Sequence, residues 1–263
     1  MKKMEVSRSG GLIARRDLLR SIGAMGGAMG GAMATSFLLN HPILGGVLMN
    51  DKNLVPAKAA VDHFILGAAD LDQAVAWFEK TTGVKPIIGG VHPGRGTRNA
   101  LVALGGRQYL EILAPDAAQQ GVSMKYDLKS LITPRLIHWV AVTNDINSVV
   151  EKSRSAGLSP VGPREGSRAR PDGRMLKWSS LDVVSNERVT LIPFFIQWAA
   201  DSLHPSQDSP KGCELQSFEM EHANPASVAE MLRKLGIEPK IARGAEVRLR
   251  ATLKTPKGKV ELS

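Results

Sequence analysis

Three times along this 263-residue chain a segment ends in glycine, a branched or β-branched apolar residue, any residue, and proline. The three are Gly83-Val84-Lys85-Pro86, Gly157-Leu158-Ser159-Pro160 and Gly236-Ile237-Glu238-Pro239, with glycines 74 and 79 residues apart. Glycine tolerates the left-handed conformation that closes a helix, and a proline shortly after forbids its continuation. Each exit also follows the same preamble. Val61 to Leu66 reads as a strand, Asp70 as a helix cap, and Leu71, Val75 and Phe78 share one helical face. Leu136 to Val142 is again strand-like, Asp145 can cap, and Ile146, Val149 and Val150 point inward. Leu215 to Met220 begins the third copy, with Asn224 as cap, Pro225 at the favoured first helical position and a helix over 225–235.

Three short strand candidates follow every exit. They fall at 86–91, 98–104 and 107–113, then at 160–164, 174–181 and 188–195, then at 239–243, 246–253 and 259–262. The chain is therefore predicted to be α+β, built from a βαβββ unit used three times. Residues 60–200 hold the paired units one and two, 214–263 the third unit, and 114–135 and 199–213 the links. One unit alone leaves a sheet face open. Two units edge to edge curve into a half-barrel around a cleft, and an odd third unit needs cover. A second copy of the chain would give that cover, which predicts a homodimer.

Composition narrows the classes. Hydrophobic residues make up 43%, which excludes a disordered chain, and a single cysteine excludes a disulfide framework and a cysteine zinc module. The net charge is +9, but residues 1–59 contribute +5 of it through eight Lys/Arg against three Asp/Glu. The remainder is too mildly basic, and at 5% aromatic too poor in stacking rings, for a nucleic-acid binder.

Residues 1–59 read as an export leader. A basic head containing Arg15-Arg16-Asp17-Leu18-Leu19 precedes an uncharged stretch from Ser21 to Asn50, with small-residue exits at Ala32-Met33-Ala34 and Ala57-Lys58-Ala59. The arginine pair resembles a twin-arginine signal, which implies the twin-arginine export machinery as a partner and a periplasmic or secreted destination. It departs from the usual pattern at Ala14 and Leu18. The uncharged stretch is also long enough to anchor in a membrane, although its glycines weaken a helix there.

Ionisable residues inside apolar strands mark the candidate site, since burying them is costly without a partner or a task. His63 and Glu111 are such residues in unit one, and aligning Asp145 with Asp70 sets His138 against His63. Asp62 reads as a strand-start residue, and His204, in a Pro-Ser link, as the cap of a turn or a further ligand. The run Arg164, Arg168, Arg170 and Arg174, among prolines and glycines, reads as a solvated hairpin loop or a lid. Trp139, Trp178 and Trp198 read as core or cleft wall. Cys213 has no histidine near it in sequence and is assigned no chemistry.

The His63 strand, the capped helix, the Gly-x-x-Pro exit and the Glu111 strand resemble the vicinal oxygen chelate superfamily. The segments His92 to Ala100, Arg168 to Gly173 and Trp198 to Ser206 are similar to its glyoxalase-like domain family. The resemblance covers about residues 61–262. It implies a vicinal-oxygen-chelate half-barrel, a small oxygen-rich and anionic substrate, and metal ligands on the first and last strands of the paired units. Carried onto this sequence, those ligands are His63, Glu111 and His138, holding divalent iron, manganese or zinc as a Lewis acid. The fourth place, near Leu191 to Phe194, has no carboxylate. Arg95 and Asn99, in the loop that follows His92, are the implied substrate-orienting residues. The implied chemistry is that of a lyase, isomerase or dioxygenase, and a metal-free protein that sequesters a ligand in the same cleft is the alternative.

Overall fold

The structure, a computed structural model, describes residues 53–169, 173–184 and 191–263. The arginine pair, the uncharged stretch, the Ala32 to Ala34 exit, Arg170 and the first residues of the 188–195 strand candidate lie outside them. The described chain begins with a short strand β1 (Val55–Pro56) and helix α1 (Ala57–Ala60). Unit one follows as β2 (Val61–Gly67), α2 (Leu71–Thr82), β3 (Ile87–His92), β4 (Thr97–Ala103) and β5 (Tyr109–Pro115). Unit two is β6 (Arg135–Val142), α3 (Ile146–Ser155), β7 (Ser159–Ala169), β8 (Met175–Val184) and β9 (Phe194–Trp198). The last segment is β10 (Glu214–His222), α4 (Pro225–Lys234), β11 (Ile237–Glu238), β12 (Ile241–Arg243), β13 (Arg248–Thr255) and β14 (Gly258–Leu262).

The punctuation read from sequence is present at each of the three predicted helices, α2, α3 and α4. Asp70 accepts the Gln73 N–H at 2.8 Å, Asp145 that of Ser148 at 3.0 Å and Asn224 that of Ser227 at 3.5 Å. Gly83, Gly157 and Gly236 stand at φ 81°, 73° and 87°, the left-handed region that side-chain-bearing residues avoid. Removing one cap leaves an N–H without its acceptor. Asp70→Ala should therefore lower stability by about 1 kcal/mol, read as a shift of the urea midpoint with an unchanged slope.

Units one and two join in one eight-stranded sheet of order β3-β4-β5-β2-β6-β9-β8-β7. In each unit the first strand pairs in parallel with the last, β2 with β5 and β6 with β9, and the units meet through the antiparallel pair β2–β6. The sheet curls strongly. A Cβ on Gly90 of β3 would lie 3.9 Å from the Ala169 carbonyl of β7, so the two edge strands approach each other across the cleft. This is the predicted half-barrel. The predicted loop holding Arg164 and Arg168 is instead β7, paired with β8 from Ser159↔Val184 to Ala169↔Met175. The last strand of unit two starts at Phe194, later than predicted, just after Pro193.

The third segment follows the βαβββ order with the short β11, which pairs with β1, inserted after its helix, and it threads its sheet differently. Its order is β12-β10-β13-β14, so β10 pairs with the third strand rather than the last. Its apolar face is covered within the same chain. Phe218 of β10 meets Phe64 of β2 at 4.9 Å and Trp139 of β6 at 5.1 Å between ring centroids, edge to face. Phe64, Leu66, Trp139 and Ala141 thus face a core shared with the third sheet, while His63, Ile65, His138 and Val140, one residue out of phase, take the concave side. That is why every residue of β2 is buried.

Residues 55–60 belong to this folded body. Val55 and Pro56 pair with Ile237 and Glu238, and Ala57 is buried. Among the described residues no helix is long and apolar enough to cross a membrane.

Candidate active site

The concave side encloses a cavity of about 710 Å³, open at one side, whose floor holds His63, Tyr109 and Glu111. His63 sits there because it alternates with the back-facing Phe64 on β2. Tyr109 pairs directly with His63 across the β2–β5 ladder and stacks on its ring at 4.4 Å. Glu111 is two residues further, opposite Ile65, and its Oε2 lies 3.7 Å from His63 Nε2.

Behind the floor, Asp62 collects three ring N–H donors. Its Oδ1 lies 2.7 Å from His63 Nδ1, and its Oδ2 lies 2.9 Å from Trp198 Nε1 and 3.1 Å from His204 Nε2. The proton positions follow from the partners. The Ser206 backbone N–H donates to His204 Nδ1 at 3.2 Å, so that nitrogen accepts and the His204 proton sits on Nε2, facing Asp62. Burial would raise the Asp62 carboxyl, but the hydrogen bonds of His204 and His63, and their charges, lower it to about 2. A carboxylate only accepts, so His63 donates to it from Nδ1. In its neutral form His63 then turns a lone pair at Nε2 towards Glu111 and the cavity.

Glu111 is held from the other side. Asn99 Nδ2 donates to Glu111 Oε1 at 2.6 Å, and Arg168 Nη1 donates to Asn99 Oδ1 at 3.0 Å, which fixes the amide's orientation. His92 Nε2 stands 3.5 Å from Glu111 Oε1, and its Nδ1 is 3.0 Å from Thr97 Oγ1. Burial alone would raise the Glu111 carboxyl; the charges of His92 and His63, the Asn99 hydrogen bond and Arg168 together hold it below its ordinary value. His92 itself is pushed down by burial, against the pull of Glu111. Space for Asn99 comes from Gly89, where a Cβ would stand 2.5 Å from Asn99 Oδ1.

Of the expected metal ligands, the structure brings His63 and Glu111 together. His138 faces the concave side but does not line the cavity. Its ring packs at 5.6 Å from Phe194 and 6.1 Å from Tyr126, and its Nδ1 is enclosed without a hydrogen-bond partner. Burial, then the Lys125 charge, lowers its pKa to about 3. The strand register explains the gap. Glu111 opposes the residue two after His63, and Phe194 opposes Val140, the residue two after His138. Phe194 therefore holds the position that mirrors Glu111, with Lys125 Nζ 5.3 Å from its ring centroid. Among the described residues no group of three or more His, Cys, Asp or Glu is placed to share an ion. An apolar ring and an ammonium beside His138 do not suit a cation, so the expected three-ligand set does not fit a resident divalent metal.

The expected substrate contacts divide. Arg95 is exposed and lines the cavity mouth. Asn99 is not on a loop: it lies in β4, buried, with both ends of its amide engaged. Arg168, expected in solvent, is buried at the end of β7 and reaches across the cleft. His204 does cap a turn, and Trp139 donates to the Leu191 carbonyl in the core at 2.8 Å, while Trp178 and Trp198 wall the cavity. Cys213 is buried and its thiol is raised to about 11 by that burial, so it is not an accessible nucleophile.

Two βαβββ units fused through their first strands, with an ionisable cleft on the concave side, define a vicinal-oxygen-chelate half-barrel. A family model described as a glyoxalase-like domain matches residues 61–236, and the chain belongs to that family. Among solved structures, a hypothetical protein from Staphylococcus aureus superposes with a TM-score of 0.57 at 17% identity, covering 77% of this chain and 98% of its own; it shares the fold. A Streptomyces coelicolor methylmalonyl-CoA epimerase, in complex with 2-nitronate-propionyl-CoA, gives a TM-score of 0.41 at 19% identity over 55% of this chain and 97% of its own. No curated protein matches the sequence.

Proposed function

We propose that the protein is a glyoxalase-like enzyme that moves a proton at a carbon beside a carbonyl, on a small, oxygen-rich, anionic substrate held in the cleft. The observation that carries this reading is the chain Asp62–His63–Glu111: a carboxylate fixes the imidazole tautomer, and the free nitrogen opens into an enclosed space. His63 Nε2 takes the proton, the electron pair of the C–H bond shifts towards the carbonyl oxygen, and the imidazolium is stabilised by Asp62 on one side and Glu111 on the other. The proton returns to the same carbon or to its neighbour. The metal dependence implied by the family resemblance has no support in the ligand geometry, and no step of this reading passes through an ion.

The test uses three ketones that each carry an acidic C–H: pyruvate, phenylpyruvate and phenylacetone. In D₂O at neutral pH, the protein should accelerate deuterium uptake by at least one of them, followed by proton NMR. His63→Gln should return that rate to background while the melting temperature stays close to wild type. If none of the three exchanges faster with protein than without, the proton-transfer reading fails, and the cleft of a ligand-sequestering protein takes its place.

Export through a twin-arginine-type signal is also part of our reading, supported by Arg15-Arg16 and the uncharged stretch after it. Because Val55 and Pro56 are strand-paired, cleavage at Ala57 to Ala59 would strip β1 from the body. N-terminal sequencing of the exported protein should give a start upstream of Val55; full-length protein retained in the cytoplasm would overturn the proposal.

A further inference from the structure

The proposed function leaves the identity of the ligand open, and the cavity wall narrows it. Gly166, Trp178 and Trp198 are consecutive cross-strand partners on β7, β8 and β9. A Cβ on Gly166 would lie 2.4 Å from Trp178 Cε2 and 2.5 Å from its Nε1, so the indole lies flat on bare backbone. Trp198 sits 5.7 Å from it, tilted by 57°, and is locked by its bond to Asp62. Tyr126 and Phe194 add two more rings to the lining. Side chains held this rigidly offer flat apolar area at little entropic cost, and such surfaces favour a flat apolar body.

The free donors point to the other half of the ligand. Lys125 is paired with Asp182 at 2.6 Å, and Arg168 is bonded to Asn99. Among the described residues, neither the Arg95 guanidinium nor the Trp178 indole N–H has a hydrogen-bond or ion-pair partner, and both line the cavity. A planar, always-charged guanidinium at the mouth suits a carboxylate, which it can hold through two parallel hydrogen bonds.

We infer that the cleft takes an aromatic carboxylic acid: a flat ring against Trp178 and Trp198, and a carboxylate at Arg95. This rests on the proposed function only for the placement of the reacting carbon at His63. The same three ketones test it, since pyruvate has the carboxylate without the ring and phenylacetone the ring without the carboxylate. In isothermal titration calorimetry at fixed ionic strength, phenylpyruvate should bind at least about tenfold more tightly than either. Arg95→Gln should weaken phenylpyruvate about tenfold and leave phenylacetone unchanged. Trp178→Leu should weaken both ring compounds and leave pyruvate unchanged. Arg95 is exposed, so its replacement should not disturb folding, and circular dichroism checks this for both variants. Phenylpyruvate binding no more tightly than pyruvate or phenylacetone, or not at all, overturns the inference, as does an Arg95→Gln variant with wild-type affinity. Tight binding of phenylpyruvate without His63-dependent exchange leaves this ligand class standing and removes proton transfer. Exchange on pyruvate alone does the reverse.

Discussion

Asp62→Ala should destabilise the protein by about 4 kcal/mol, because it strands two buried and one half-buried ring N–H donors at once. His63 Nδ1, Trp198 Nε1 and His204 Nε2 all converge on this carboxylate, which is 1% exposed. Asp62→Asn keeps the shape but replaces one acceptor oxygen with a donor amide, so at least one N–H meets N–H. If the amide turns its donor towards His63, that ring must accept at Nδ1 and carry its proton at Nε2. It can then no longer take a proton from a ligand. The acid limb is a second signature. The Asp62 carboxyl is held at about 2 instead of 3.8, so its contribution is fully present above pH 3.8 and is lost as the pH falls through 2. That contribution is on the order of 2 kcal/mol. Urea midpoints at pH 5 and pH 2.5 should show wild type losing ground to Asp62→Asn as acid is added. Equal losses in the two proteins would mean that Asp62 is not ionised in the fold.

Why this hub escaped the sequence is a matter of phase. Asp62 lies at the register shift between Val61 and His63, where the strict alternation of β2 breaks and a polar residue reads as a strand start. Two of its three partners come from 136 and 142 residues away, on β9 and on the link after it. No local pattern records such a meeting. His63 and Glu111 were legible because each interrupts an apolar strand on the cavity-facing phase, and their strands pair in parallel. Arg168 was hidden for the opposite reason. A run of arginines among prolines and glycines looks solvated, and only the curl of the sheet turns the end of β7 inward over Asn99. The same limit applies to the fold. The Gly-x-x-Pro exits located helices α2, α3 and α4, since caps are local. They could not reveal that β13, not β14, docks beside β10, because element order is silent about which strand of a hairpin faces its neighbour.

His138 shows how far a repeat can be trusted. The register places it where the repeat said, facing the concave side diagonally from His63, yet its surroundings are those of a core residue. Burial disfavours a charged ring there, Lys125 repels a proton as well, and Asp182 offsets them only in part. The folded protein therefore keeps this imidazole neutral down to about pH 3, whereas the unfolded chain protonates it near 6.5. Between those values the unfolded state binds more protons, so stability falls as the pH drops from 6.5 towards 3. At full extent the loss is about 5 kcal/mol, and at pH 5 it is about 2 kcal/mol. His138→Leu fills similar space and removes both the titration and the unpartnered Nδ1. It should be more stable than wild type by about 1 kcal/mol at pH 7.5 and by about 3 kcal/mol at pH 5, so that the two stability curves diverge steadily as acid is added. Guanidinium midpoints measured across pH 4 to pH 8 decide it. Parallel curves would mean that His138 takes up a proton as readily in the fold as in the unfolded chain, and so is not enclosed away from water.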